Sequence, residues 1–356
     1  MPEHGRDRWR GTKHSGSALS ERLGARVKRA EDLIASGDWN AGFEAYGEIV
    51  TEELLHAQQP WSSSHLLVVE RFGDLASMVG LRSVALDAYP KVVADGAPAV
   101  RIPVLAKMLQ LASSTRAPSA RIYRQLESAL WNGELQQPRR AESFEPGGLG
   151  YRTEAMVCLG LGCFWNSVRY LPESGGWLER GVQSFGPNAE DRLGVIPLRL
   201  TLANHYLTIG DLERAQAELR MAETEIGSAP GGETYRMWLE DAAIRVAFTR
   251  GNLAEVLRRL DSIEAVARAK LLWGTMCRIL LVRAETLVLL NQLEGADACL
   301  EEALSLPQTV WTAELKTERE RISRFRRLRA GLSLNPGPSA GEMQGDARDI
   351  IAFQLS

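Results

Sequence analysis

Long apolar runs are missing from this sequence of 356 residues. No stretch approaches the roughly 18 apolar residues needed to cross a bilayer. The polar opening, with Arg6, Arg8, Arg10 and Lys13, is followed by no apolar run of signal-peptide length. A membrane role is therefore excluded at this stage, and a cytoplasmic protein is expected. Cysteine is scarce: Cys158, Cys163, Cys277 and Cys299 lie in apolar helical sequence without metal-site spacing. Histidine is scarce too, and His4, His14, His56, His65 and His205 are scattered. There is no phosphate-binding glycine loop, no His-Glu-x-x-His pair and no nucleophile elbow. Cys163 with His205 makes a poor dyad, because neither an orienting group nor an exposed turn accompanies the thiol. The glycines at 147, 148 and 150 and the run Leu159-Gly160-Leu161-Gly162 lack the strand before and helix after that a phosphate cradle requires. They read as a loop and as small residues that let helices approach. Lysine is nearly absent: Lys13, Lys28, Lys91, Lys107, Lys270 and Lys316 stand against a total of 42 Lys+Arg, a bias that reflects genome composition rather than a binding role. A net charge of −3 points to neither nucleic acid nor a membrane surface as partner. The absences together predict a protein without catalytic activity, cofactor or metal.

What is present is a spaced pattern that returns six times. A turn residue is followed two positions later by an apolar residue, five later by a small one and nine later by a ring or leucine. Gly210, Leu212, Ala215 and Leu219 show it most fully. Gly251, Leu253, Val256 and Leu260 repeat it 41 residues on, and Asn291, Leu293, Ala296 and Leu300 after 40 more. Upstream, Gly176, Leu178, Gly181 and Phe185 fit, as do Gly37, Trp39, Gly42 and Tyr46; Gly80, Ala85 and Tyr89 fit with Arg82 off pattern. Periods of this size mark stacked helical hairpins, none of which buries its apolar face alone. Glycine accepts the left-handed turn, the following Asp211 or Asn252 caps the next helix, and the apolar, small and large residues share one helix face.

The stretch from Leu202 to Ala222, with Ala203, Tyr206, Gly210, Leu212, Ala215 and Leu219, resembles the tetratricopeptide repeat. The repeat at Asn291 adds Ala284, Ala303 and Pro307 to the same likeness, whereas Pro172 interrupts the match around Trp165 and Val168. About half the chain carries a recognisable repeat, and its longer periods resemble the loose variety found in bacterial regulators and scaffolds. The repeat predicts an all-α fold, and the resemblance implies a right-handed α-solenoid of about seven antiparallel helical hairpins.

Composition shifts divide the chain. Residues 1–17 read as a flexible basic tail, 18–130 as a first block of hairpins and 131–150, rich in Pro, Gly and Arg, as a loop or hinge. Hairpins resume over 151–330 and end on a closing helix at 311–329. Its Arg319, Arg324, Arg326 and Arg327 form a basic patch, read here as a polar cap with Ile322, Phe325 and Leu328 as its apolar stripe. Residues 331–356 are a Pro/Gly/Ser-rich linker and an apolar octet. Within the octet Ile351, Phe353 and Leu355 alternate as in a strand-like docking motif.

In the family resembled, the first helix of each hairpin lines a concave groove. Counting back from the turn residues selects Asn166, Tyr170, Asn204, Trp238, Asp241, Arg245, Arg278 and Glu285 as groove residues. Leu200 and Ala242 occupy places where the family's two-carboxylate clamp needs polar groups, so that mode of binding is not expected. Two functions fit these features. One is a scaffold or adaptor that binds a protein or peptide in a bacterial assembly. The alternative is a sensor or regulatory arm that binds a small ligand or an inhibitor protein.

Overall fold

The computed structural model describes residues 18–36, 38–54, 61–79, 81–115, 119–131, 141, 150–186, 193–228, 233–270 and 272–306. Outside them lie the basic tail, most of 131–150, the closing helix with Arg319, Arg324, Arg326 and Arg327, and the octet with Ile351, Phe353 and Leu355. The described residues form fourteen α-helices and no strand, so the fold is all-α.

In chain order the helices make seven consecutive pairs: α1 (Ala18–Ala35) and α2 (Trp39–Ile49); α3 (Ser63–Met78) and α4 (Arg82–Asp95); α5 (Pro98–Thr115) and α6 (Ser119–Trp131); α7 (Tyr151–Ser167) and α8 (Leu171–Phe185); α9 (Ile196–Thr208) and α10 (Leu212–Ser228); α11 (Glu233–Thr249) and α12 (Leu253–Ala269); α13 (Trp273–Leu289) and α14 (Leu293–Ser305). A π-helical segment, Val50–Leu54, prolongs α2. The chain divides into two compact units, one of residues 1–78 and 84–243 and the other of 79–83 and 244–356. Within the first, α5 packs on α7 and α7 on α9, while each second helix packs on its own first helix in the pairs α1/α2, α5/α6, α7/α8 and α9/α10. Within the second, α13 packs on both α12 and α14.

One turn geometry recurs. Arg169, Gly210, Gly251 and Asn291 have φ of 62°, 82°, 73° and 58°, the left-handed region that ends a helix. At each, the next N–H reaches back to the carbonyl five residues earlier: Tyr170 to Trp165 at 2.9 Å, Asp211 to Tyr206 at 2.8 Å, Asn252 to Ala247 at 2.9 Å and Gln292 to Leu287 at 2.8 Å. Asp38 makes the same bond to Leu33 at 3.0 Å. The expected side-chain caps are present too. Asp38 accepts from Ala41 N–H, Asp211 from Arg214 N–H and Asn252 from Glu255 N–H.

The frame of the fourth hairpin differs from the sequence reading. Its left-handed residue is Arg169, 41 before Gly210, while Gly176 lies inside α8. Pro172 does not interrupt the hairpin, because it sits in the first turn of α8, where a missing N–H costs nothing. Counted from Arg169, the pattern is Leu171, Ser174 and Leu178, so arginine stands for glycine and serine for alanine.

The five-after position is fully buried in every hairpin where it can be read from a left-handed turn: Ser174, Ala215, Val256 and Ala296. Leu178, Leu260 and Leu300 bury beside them at the nine-after position. Small residues also set how closely first helices approach. A Cβ on Gly160 of α7 would lie 2.6 Å from the Ala106 carbonyl oxygen of α5, a backbone atom with no rotamer to move.

Two glycines therefore respond oppositely to alanine. Gly24→Ala in α1 meets nothing within 4 Å and should stabilise by about 0.5–1 kcal/mol through backbone entropy. Gly160→Ala should lose that gain to helix separation, for a net cost of about 1–3 kcal/mol, as should Ala215→Leu at the α9/α10 crossing. Thermal melting followed by circular dichroism reads both signs, and an unchanged midpoint for Ala215→Leu would contradict the packing described.

Candidate interaction surface

The position six before each turn residue is polar in most hairpins, but the structure uses it in two ways. In the first two pairs it is consumed internally. Glu31 accepts the Tyr46 hydroxyl at 2.8 Å and two guanidinium bonds from Arg71 of the next pair at 2.7 and 2.9 Å. Asp74 repeats the scheme: it accepts the Tyr89 hydroxyl at 2.7 Å and Lys107 Nζ at 2.8 Å, and Lys107 also reaches Glu70 at 2.8 Å. Each tyrosine stands at the nine-after position of its own hairpin. These contacts tie the α1/α2, α3/α4 and α5/α6 pairs together by ion pairs on top of apolar burial.

The electrostatics follow from the burial. Burial opposes the charge on Lys107, but Asp74 and Glu70 outweigh it and hold the ammonium pKa above its ordinary value. For Glu31 burial also opposes ionisation, and the Arg71 guanidinium overcomes it and lowers the carboxyl pKa. The carboxylates at this position thus serve the fold and are not offered to a partner.

From the fourth pair onward leucine replaces the tyrosine, as Leu178, Leu219, Leu260 and Leu300. The polar residues at the six-before position then lack a hydroxyl from their own hairpin. Asn204 of α9 is the clearest case, because its Oδ1 is shut off from water with no hydrogen-bond donor. Its backbone carbonyl accepts from Thr208 Oγ1 at 2.9 Å, a bond that does not involve Oδ1.

The other groove candidates fall as follows. Trp238, Asp241 and Arg245 share one face of α11 at steps of three and four, all half-buried, and Tyr235 packs edge-on against Trp238 at 5.5 Å. Arg278 is half-buried on α13, and Glu285 on the same helix is fully buried. Asn166 lies in the last turn of α7 with its Oδ1 also buried and without a donor. Tyr170 is not on a first helix: it is the N-cap residue of α8, 48% exposed. Both were selected by counting from Gly176, and counting from Arg169 puts Met156, Leu159 and Cys163 in the repeat positions instead.

An aromatic ledge escaped the sequence reading. The Tyr123 ring of α6 stacks on Phe164 at 4.3 Å and meets Trp165 edge-on at 5.5 Å, and Trp165 lies 5.5 Å from Tyr170. Val168, at 50% exposure, adjoins it on the same turn. The corresponding residue of the next hairpin, Ile209, is also exposed, at 46%. Trp165, Val168 and Tyr170 were picked out in the sequence for other reasons, but not as a cluster, because Tyr123 comes from a different pair.

Burial, with Glu154 adding repulsion, pushes the Cys158 thiol up to about 12, far from a reactive thiolate. Among the described residues no cluster of His, Cys, Asp or Glu is arranged to hold a metal ion, and no helix is long and apolar enough to cross a membrane.

No family model matches the sequence, and no curated protein is significantly similar to it. Among solved structures, the chain is similar to a tetratricopeptide repeat protein from Parabacteroides merdae ATCC 43184, with 10% identity and a TM-score of 0.40 over 85% of this chain and 99% of that one. It is also similar to the APC/C hetero-tetramer Cut9-Hcn1, with 12% identity and a TM-score of 0.26 over 92% of this chain and 84% of that one. The tetratricopeptide-like character of the hairpins rests on their own residue pattern and turn geometry.

The internal network predicts unequal costs for two lysines. Lys107→Met removes the buried cation that Glu70 and Asp74 share and should cost up to about 3 kcal/mol. Lys28→Met removes an exposed pair with Asp32 and should stay within about 0.5 kcal/mol. Urea unfolding of the two variants beside the parent distinguishes them, and equal midpoints would deny Lys107 its part in holding these hairpins.

Proposed function

We propose that the chain is a non-enzymatic scaffold or adaptor that binds another protein or peptide along the side chains of its first helices, as part of a bacterial assembly. The observation that carries this reading is the change of use at the six-before position. Glu31 and Asp74 are engaged by Tyr46 and Tyr89, whereas Asn204 faces a leucine hairpin and keeps a buried acceptor without a donor. The atom is closed to solvent as it stands, so the Asn204 side chain has to turn outward to accept an N–H from an extended peptide, which carries a donor on almost every residue. Trp238 and Arg245, half-buried on one face of α11, belong to the residue types that dominate interface energetics, because a partly fixed ring or guanidinium loses little entropy when covered. Asp241 on α11 and Arg278 on α13 are further half-buried polar candidates in this reading, with Asn166 and Tyr170, whereas Glu285 is fully buried and offers no surface.

The test is affinity purification with the full chain as bait. Trp238→Ala combined with Arg245→Glu should remove the captured partner at unchanged helical content, and Asn204→Leu should weaken capture severalfold. Lys28→Ala, at an exposed position of α1, should leave capture intact. If the same partners survive both groove variants in unchanged amounts, these residues are not the binding face.

A further inference from the structure

His205 is the buried imidazole of the described structure. It is 4% exposed on α9, and its Nδ1 has no hydrogen-bond partner. The ring lies against the backbone of α8, where a Cβ added to Gly175 would come within 2.9 Å of Nε2. Ser174, the adjacent buried hydroxyl, donates to the Gly162 carbonyl at 2.9 Å and so does not donate to the ring. We propose that the α8/α9 junction is an acid-labile joint, closed while His205 is neutral and opened when its imidazole takes up a proton.

The chemistry is that of a donor with nowhere to go. A neutral imidazole carries one N–H, and Nδ1 can be left bare. The imidazolium carries an N–H on both nitrogens, so the second would be a charged donor buried without an acceptor. The ionisable groups around the ring do not remedy this. On α8, Glu179 is engaged by the Tyr206 hydroxyl at 2.8 Å, and Glu173 keeps its Oε2 buried without a donor. On α10, Arg214 lies over the Tyr206 ring at 5.5 Å, and Glu218 is held by Arg199 at 2.9 Å. On α7, Glu154 is tied to Arg180 of α8 at 3.0 Å. Burial lowers the His205 pKa below its ordinary value, and the attraction of Glu179 only partly opposes it.

The sign follows. Above the unfolded value, about 6.5, both open and closed states are neutral and pH has no effect through this group. As pH falls below it the open state binds a proton and the closed state does not, so the closed joint loses ground until the lowered native pKa is reached. Opening would release α9, which carries Asn204 and leads to the exposed Ile209, from the Gly175 backbone. This joint belongs to the fold and does not depend on what α9 binds.

The full chain labelled with 13C at histidine Cε1 tests it by NMR between pH 8 and 4.5, with the His205 signal assigned through His205→Gln. His205 should remain neutral below the ordinary imidazole value of about 6.5. Hydrogen exchange of peptides covering α9, corrected for intrinsic rates, should show the opening constant rising by up to about tenfold per pH unit below 6.5, with the rise abolished in His205→Gln. Titration of His205 at or above about 6.5, the same rise in the variant, or tightening on acidification through capture by Glu173 would each overturn the proposal. Should His205→Gln fail to fold, substitution of the other four histidines assigns the signal, and the titration alone decides.

Discussion

Each of the later hairpins is closed by a single residue in the left-handed conformation, and the remaining packing is set out from that point. Once Arg169, Gly210, Gly251 or Asn291 turns the chain, the backward hydrogen bond fixes where the second helix begins, and the residue five further on falls where the two helices cross. There the backbones are too close for a long side chain, which is why Ser174, Ala215 and Ala296 are small and fully buried. At Arg169 the turn costs about 1–2 kcal/mol that glycine would not incur, while asparagine at 291 tolerates the conformation better. The conserved geometry of the closing bond shows that the rest of the hairpin over-determines it.

The same constraint explains how much could be read in the sequence. Where glycine marked the turn, as at Gly210 and Gly251, the caps, small positions and core faces were all legible. The fourth hairpin was read on the correct face in the wrong register. Gly176 lies seven residues beyond the true turn, and seven residues are close to two helical turns, so Leu178, Gly181 and Phe185 lie on the same face as Leu171, Ser174 and Leu178. What was lost was the position of the helix end: arginine hides a left-handed turn, and Pro172 imitates a break. The choice of Asn166 and Tyr170 followed directly from that slip.

Contacts between pairs were harder still. The 15-residue separation of Glu31 from Tyr46 and of Asp74 from Tyr89 is visible in the sequence, but it passes unnoticed when tyrosine at the nine-after position is read only as apolar bulk. The cations that complete each site come from the following pair, with Arg71 40 residues and Lys107 33 residues from their carboxylates. No local pattern encodes those partners. The aromatic ledge is illegible for the same reason, since stacking brings Tyr123 against Phe164 from across a segment of unrelated composition.

One substitution in the repeat separates the two halves of this chemistry. A tyrosine at the nine-after position brings a hydroxyl to the polar residue six before the turn, and a buried carboxylate with such a donor and a cation is stable where it stands. A leucine fills the same volume without the hydroxyl. The polar residue opposite must then find its partner elsewhere or carry the cost of desolvation, about 1–3 kcal/mol for an unpaired group. Asn204 carries that cost. A donor would relieve it once the side chain turned outward to meet it. A stable fold and an available binding group are thus alternative outcomes of the same repeat position, and the ring or leucine nine residues after the turn decides between them.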